Sequence, residues 1–293
     1  MKLFTTPPLA HLTKPSAPQP APAKRSAATL LPDPPSAPRV MPLVRLMQGG
    51  RWRVEAMRAL SEPCLLWFTR GQGRITLAGT SRAYGPFSAV FIPPGVMHSF
   101  EIGPQTHGTA VFFGRGCEIA LPHAAAHLRV RDAVTKNEIT ALIDSAQREI
   151  DSNRPGAERA ASHYLGLLGV VLERHTVAQA ASPGASDAAK RLVARYVALL
   201  EREFRSGHGV ADYAAQLGVS STHLTRSCKA ACGHAAHDLL QDRRLYEARR
   251  LLAETRVPVK EIAAALGFSS PGYFSRAFQA RIGKTPSAFR ISG

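Results

Sequence analysis

The chain has 293 residues, too many for one ordinary domain and enough for two with connecting segments. Its hydrophobic fraction, 45%, is that of a globular protein, and no apolar run approaches the roughly eighteen residues of a membrane span, so a membrane is excluded as a partner. The formal net charge of +16 favours an anionic partner, because clustered Lys and Arg gain free energy by releasing counterions from nucleic acid.

The N-terminus, MKLFTTPPLAHL, has prolines where a signal peptide needs an apolar stretch, which points to the cytoplasm. Half of the chain's prolines lie at or before Pro42, in segments such as PSAPQPAPAK and LPDPPSAP. That composition cannot bury enough apolar surface to offset ordering, so residues 1–40 read as a disordered tail. Over 41–130 the pattern changes to short runs rich in β-branched and aromatic residues, CLLWFTRGQGRITLAG, SAVFIPPGVMHSF and GTAVFFG, separated by Gly and Pro. They read as strands of an all-β barrel or sandwich.

Helical spacing takes over across 131–178. Thr135 and Glu138 suggest a capping box, after which Ile139, Leu142, Ile143, Ala146 and Ile150 share one face. A second helix is expected over 158–175, with Leu165, Leu168 and Leu172 on a stripe. These two helices pack either on the β domain or on a second copy in a homodimer; the sequence leaves both open. AQAASPGAS, within 178–186, reads as a flexible linker, and 187–293 as an all-α unit. From Asp187 onward 17 Lys and Arg face 9 Asp and Glu, so this is the denser positive region.

The all-α unit contains an internal repeat with a period near fifty residues, VADYAAQLGVSSTHLTRSCKAACG from Val210 and VKEIAAALGFSSPGYFSRAFQARIG from Val259. Ala214, Ala215, Leu217 and Gly218 return as Ala263, Ala264, Leu266 and Gly267; one residue later in register, Ser220, Leu224, Arg226 and Gly233 return as Ser270, Phe274, Arg276 and Gly283. This is the logic of a helix-turn-helix. Small Ala residues let two helices cross closely, and Gly218 and Gly267 can take the left-handed conformation that ends the first helix. Ser220 and Ser270 can cap the next helix, whose first turn Pro271 suits. Leu224 with Cys228, and Phe274 with Phe278, then point inward. The outward positions are Ser221, Thr222, Thr225 and Arg226 in the first copy and Pro271, Gly272, Ser275 and Arg276 in the second. In a major groove such positions meet base edges, where Arg226 and Arg276 can each form a bidentate contact with guanine or, alternatively, hold phosphate. Between the copies HDLLQDRRLYEARRLLAET reads as a long helix that can hold the motifs about 34 Å apart on one DNA face. Its Arg243, Arg244, Arg249 and Arg250 read equally as DNA contacts or as an internally paired face.

These residues resemble the AraC/XylS family over roughly Ala188 to Arg290, above all in IAAALGFSSPGYFSRAFQARIGKTPSAFR. The resemblance implies a DNA-binding domain with both recognition helices in the major groove. Two positions depart from it: Ala236 stands where the family usually has a proline, which the second motif keeps as Pro286, and Cys228 stands where an aromatic is common.

The β region from Arg45 to Phe113 resembles a cupin-like effector domain, anchored on Pro93-Pro94-Gly95-Val96-Met97-His98. Metal-binding cupins add a His-x-His and a Glu upstream, yet no histidine lies between Arg51 and Tyr84, so His98 alone makes a poor metal site and no metal or other cofactor is expected. Arg53, Trp67, Phe91 and His98 are candidate effector contacts. Cys64, Cys117, Cys228 and Cys232 are too few and scattered for a disulfide framework, and no further Cys or His pair completes a zinc site. The expectation is an α+β, two-domain chain: an N-terminal cupin-like β-barrel, a helical linker, and an all-α DNA-binding domain with two helix-turn-helix motifs. Its expected role is that of a non-enzymatic transcription regulator acting on double-stranded promoter DNA, with RNA polymerase and a small-molecule effector as partners; the sequence leaves open whether it is an activator or a repressor.

Overall fold

Alternation of side chains along β2 (Cys64–Arg70) decides how the N-terminal region is layered. Cys64, Leu66 and Phe68 enter one apolar cluster, while Leu65 and Trp67 enter another on the opposite face. The same division runs through β5 (Ser88–Ile92) and β7 (His107–Phe112), so the sheet is buried on both sides, which is why these strands read as unbroken apolar runs. The computed structural model describes residues 36–180 and 188–292.

The large sheet is antiparallel, in the order β1 (Arg39–Pro42), β7, β2, β5, β8 (Ala126–Arg129). A second sheet has the order β4 (Thr80–Tyr84), β3 (Gly73–Leu77), β6 (His98–Phe100). The expected closed barrel is therefore corrected to two separate sheets. Pro93 and Pro94 lie between β5 and β6 and Pro104 between β6 and β7, where missing N–H groups cannot continue a ladder from one sheet to the other. Between the sheets Phe68 stacks on Tyr84 with ring centroids 4.0 Å apart, and Phe100 meets Phe68 edge-on.

The outer face of the large sheet is covered by α2 (Ala133–Ile150) and α3 (Ala157–Ala180), through Ile139, Ile143, Leu165, Leu168 and Leu172. Intramolecular packing thus accounts for both predicted apolar stripes. The cap of α2 is Asp132, whose carboxylate accepts from the Thr135 N–H at 2.7 Å, in place of the Thr135–Glu138 box. Most of the predicted tail, residues 1–35, lies outside the described residues, but its last part joins the sheet as β1, with Arg39 paired to Glu62. Likewise α3 runs to Ala180, and residues 181–187, which hold the rest of the expected linker and the first residue of the all-α unit, lie outside the described residues.

The C-terminal unit comprises α4 (Ala188–Glu203), α5 (Val210–Gln216), α6 (Ser221–Cys232), α7 (Ala236–Glu254), α8 (Val259–Ala265), α9 (Pro271–Ile282) and α10 (Pro286–Ser292). One continuous apolar cluster joins both motifs through α7, with Leu239, Leu240, Leu245, Ala248, Leu251 and Leu252 all buried. Ala236 and Cys228, the two departures, are fully buried, and the Tyr196 hydroxyl donates to the Ala236 carbonyl at 2.8 Å. Among the described residues no helix is long and apolar enough to cross a membrane.

Inside this core sits a carboxylate. Glu247 accepts from Arg205 at 2.9 Å, Arg250 at 2.7 Å and Arg243 at 3.2 Å, while Arg243 also forms a two-point pair with Glu201. Burial pushes the Glu247 carboxyl up, but the Arg250 hydrogen bond and the charges of Arg243, Arg250 and Arg205 outweigh it and hold the group down at about 2. Glu247→Gln should therefore destabilise the chain by about 3–5 kcal/mol in urea unfolding near neutral pH, since it leaves buried guanidinium groups without their carboxylate. A depressed carboxyl stabilises fully above its unfolded value of roughly 4.3 and loses that contribution as pH falls toward the folded value. The difference in unfolding free energy between wild type and Glu247→Gln should accordingly shrink as pH is lowered through this window.

Candidate nucleic-acid interface

Each recognition helix is set by the same local device. Gly218 and Gly267 both have φ of +73°, just past the ends of α5 and α8, and so turn the chain without the strain a side chain would bring. Ser220 Oγ then accepts from the His223 N–H, and Ser270 Oγ from the Tyr273 N–H, each at 3.1 Å. Pro271 opens α9, where its missing N–H costs nothing. Gly267 has a further role: a Cβ there would lie 2.4 Å from the Gly207 nitrogen, so the turn of the second motif fits against the loop before the first only as glycine.

The inward faces of α6 and α9 are filled by Leu224, Cys228, Phe274 and Phe278, all with zero exposure. On the outward faces Thr222, Arg226, Pro271, Gly272 and Arg276 are exposed, and Ser221, Thr225 and Ser275 half-exposed. The structure thus brings the eight sequence-derived positions to the solvent side of two helices. Arg226 and Arg276 occupy matched places, and among the described residues neither forms an ion pair. The Arg276 guanidinium lies 3.7 Å from where a Cβ on Gly272 would be, an ordinary van der Waals separation, so the side chain folds back along its own helix beside Gly272.

The arginines of α7 are placed differently. Arg243 and Arg250 are paired to acids, Arg244 donates to the carbonyls of Phe204 and His208, and Arg249 is buried with its head over the Trp52 ring. They are engaged inside the domain, unlike Arg226 on α6 and Arg276 on α9. His223 and Tyr273 are two exposed positions that the sequence reading passed over, each three residues after its capping serine. The repeat held the signal: aligning Ser220 with Ser270 places the two opposite each other.

The four candidate effector contacts do not converge. Trp67 and Phe91 lie in the cluster between the large sheet and α2/α3, with Trp67 Nε1 donating to Thr140 Oγ1 at 3.3 Å. Phe91 alone of the four lines an open groove of about 1090 Å³, together with Arg82, His127 and Val177. His98 is fully buried on the small sheet, its Nδ1 2.9 Å from the Val96 carbonyl. Burial, assisted by Arg58, lowers its pKa to about 3, which keeps it neutral. Arg53 faces the helical unit, paired with Glu254 at 2.9 Å. Burial also pushes the Cys64 and Cys228 thiols up to about 12, which suits packing rather than nucleophilic chemistry.

A family model described as a helix-turn-helix domain matches residues 213–292. The HTH-type transcriptional regulator GlxA of Rhizobium meliloti (strain 1021) is 36% identical over 140 residues, covering 46% of this chain and 43% of that protein. The HTH-type transcriptional activator RhaR of Escherichia coli (strain K12) is 24% identical over 149 residues, covering 51% of this chain and 52% of that protein. The chain thus spans about half the length of these curated relatives or less. Among solved structures, fatty-acid-bound ToxT from Vibrio cholerae aligns over 87% of this chain and 94% of its own, with 15% identity and a TM-score of 0.38. Residues 213–292 are thus matched as a helix-turn-helix domain, in agreement with the capped, glycine-turned motif pair that the structure shows there.

Proposed function

We propose that the whole chain is a sequence-specific transcription regulator that acts by binding double-stranded promoter DNA rather than by catalysis. The observation that carries this reading is the matched pair Arg226 and Arg276, exposed and, among the described residues, without acid partners on two capped helices, in a domain whose other arginines are largely engaged internally. A guanidinium so placed can pair with both acceptors of a guanine, and α7 keeps the two helices in fixed relation so that adjacent major-groove segments are read together.

Control by a small-molecule effector in the β domain, and contact with RNA polymerase, complete the proposal. The space between the two sheets is filled by Phe68, Tyr84 and Phe100, so an effector fits better in a groove outside them than between them. A homodimer through α3 is also part of this reading, supported by Leu167 and Val177 remaining exposed on it. The cytoplasm is the compartment in which such a protein meets its promoter.

Replacing Arg226 or Arg276 by Ala should cost about 1–3 kcal/mol on the preferred duplex and much less on random duplex of equal length. Fluorescence anisotropy at one fixed salt concentration measures both; equal losses on the two DNAs would reject base readout and leave phosphate contact. For effector control, DNase footprints and promoter output should change with at least one member of a broad metabolite panel, and identical footprints and output throughout would sink that part.

A further inference from the structure

The β domain touches the DNA-binding domain at two places, and each leads to a recognition helix. The first is the tight turn between β3 and β4. Gly79 sits against α4 so closely that a Cβ would lie 2.6 Å from Val193 Cγ1 and 3.3 Å from Val197 Cγ1, and its φ of +76° suits glycine. Two residues on, Ser81 Oγ donates to the carbonyl of Cys232, the last residue of α6, at 3.3 Å. Met57 and Met97, from the loop after α1 (Trp52–Glu55) and the loop before β6, join the apolar core of the helical domain.

The second place is Trp52 on α1. Its ring meets Tyr246 of α7 edge-on at 5.6 Å and Phe289 of α10 at 6.1 Å, and the Arg249 guanidinium lies 4.9 Å from its centroid. Phe289 in turn packs at 5.6 Å on Phe278, an inward residue of α9. Beside it, Arg53 pairs with Glu254 at the end of α7. The β domain is therefore braced at one end on the first recognition helix and, one aromatic ring removed, on the second.

We propose that the β domain is a working part of the DNA-reading unit: a clamp that fixes the relative placement of α6 and α9, with Trp52 as the positioning residue for the second motif and the Gly79 turn for the first. This rests on the DNA-binding reading above. None of the clamp residues lies on an outward recognition face, so loosening the clamp should alter the tolerated spacing between the two DNA elements and leave the base preference within each unchanged. An effector that shifts the β domain then has a direct route to both helices.

The test uses the full chain and a duplex selected by the wild type from a random library, with derivatives carrying one or two extra base pairs between the segments that Arg226→Ala and Arg276→Ala assign to each motif. Each inserted pair moves one element by about 3.4 Å and turns it by about 34°, so a braced pair of helices should lose affinity on the order of tenfold or more. Trp52→Ala should shrink that insertion penalty several-fold while weakening binding to the parent duplex, and Trp52→Phe should keep both near wild type. Arg53→Glu should act in the same direction as Trp52→Ala, and the exchange Arg53→Glu with Glu254→Arg should restore the penalty. Because the Arg53–Glu254 pair is partly solvent-exposed, this arm does not depend on the fold tolerating a lost indole. An insertion penalty unchanged in Trp52→Ala and Arg53→Glu, in chains with the wild-type unfolding midpoint, overturns the clamp alone. A wild type that selects no duplex overturns the DNA-binding reading and the clamp together.

Discussion

Helix α7 is buried around most of its circumference, and its seat depends on Glu247, one carboxylate among the guanidinium groups of Arg205, Arg243 and Arg250. Burying those charges is costly unless each is paired, and the pairing ties α7 to α4 through Glu201 and to the loop after α4 through Arg205. Leucines on the same helix then reach both motifs from one core. Within the helical domain α7 is the element that joins α6 to α9, and the β-domain contacts at Gly79 and Trp52 brace the two motifs from outside it. With α7 seated, both capped recognition helices bury their inward faces in that core and leave their outward faces in solvent.

The division of the arginines follows from the same packing. Guanidinium groups near α7 find carboxylates or main-chain carbonyls because burial leaves them no water, whereas Arg226 and Arg276 stand on helix faces that the core does not use. The high positive charge of the chain is thus only partly available to an anionic partner. Arg226 and Arg276 are among the cations that remain in solvent, and they stand at matched places on two capped helices.

Much of the C-terminal half was legible in the sequence, since its signals are local. The glycine after α5, the capping serine two residues on and the inward pair at i and i+4 recur in the second copy, and the structure places Gly218, Ser220, Leu224 and Cys228 as the repeat suggests. The N-terminal half was legible only as strands. Whether they close into a barrel depends on ladder contacts between distant segments, and proline placement alone did not decide that. The join of Arg39–Pro42 to β7 was hidden because a proline-rich composition masked a four-residue edge strand. The partners of Arg243, Arg244 and Arg250 were likewise illegible, because their carboxylates and carbonyls lie about forty residues away or on the next turn. The effector positions were the least legible: Trp67 lies on the helix-covered face of the large sheet and His98 on the small sheet, a separation that composition cannot foresee.

The central claim is that two helices held by α7 read two neighbouring stretches of major groove. In vitro selection of random duplex DNA by the full chain tests it most directly. The expected result is an enriched sequence with two separate elements, their centres about 10–10.5 base pairs apart. Enrichment of one element alone, or retention of DNA without any enriched sequence, would contradict it.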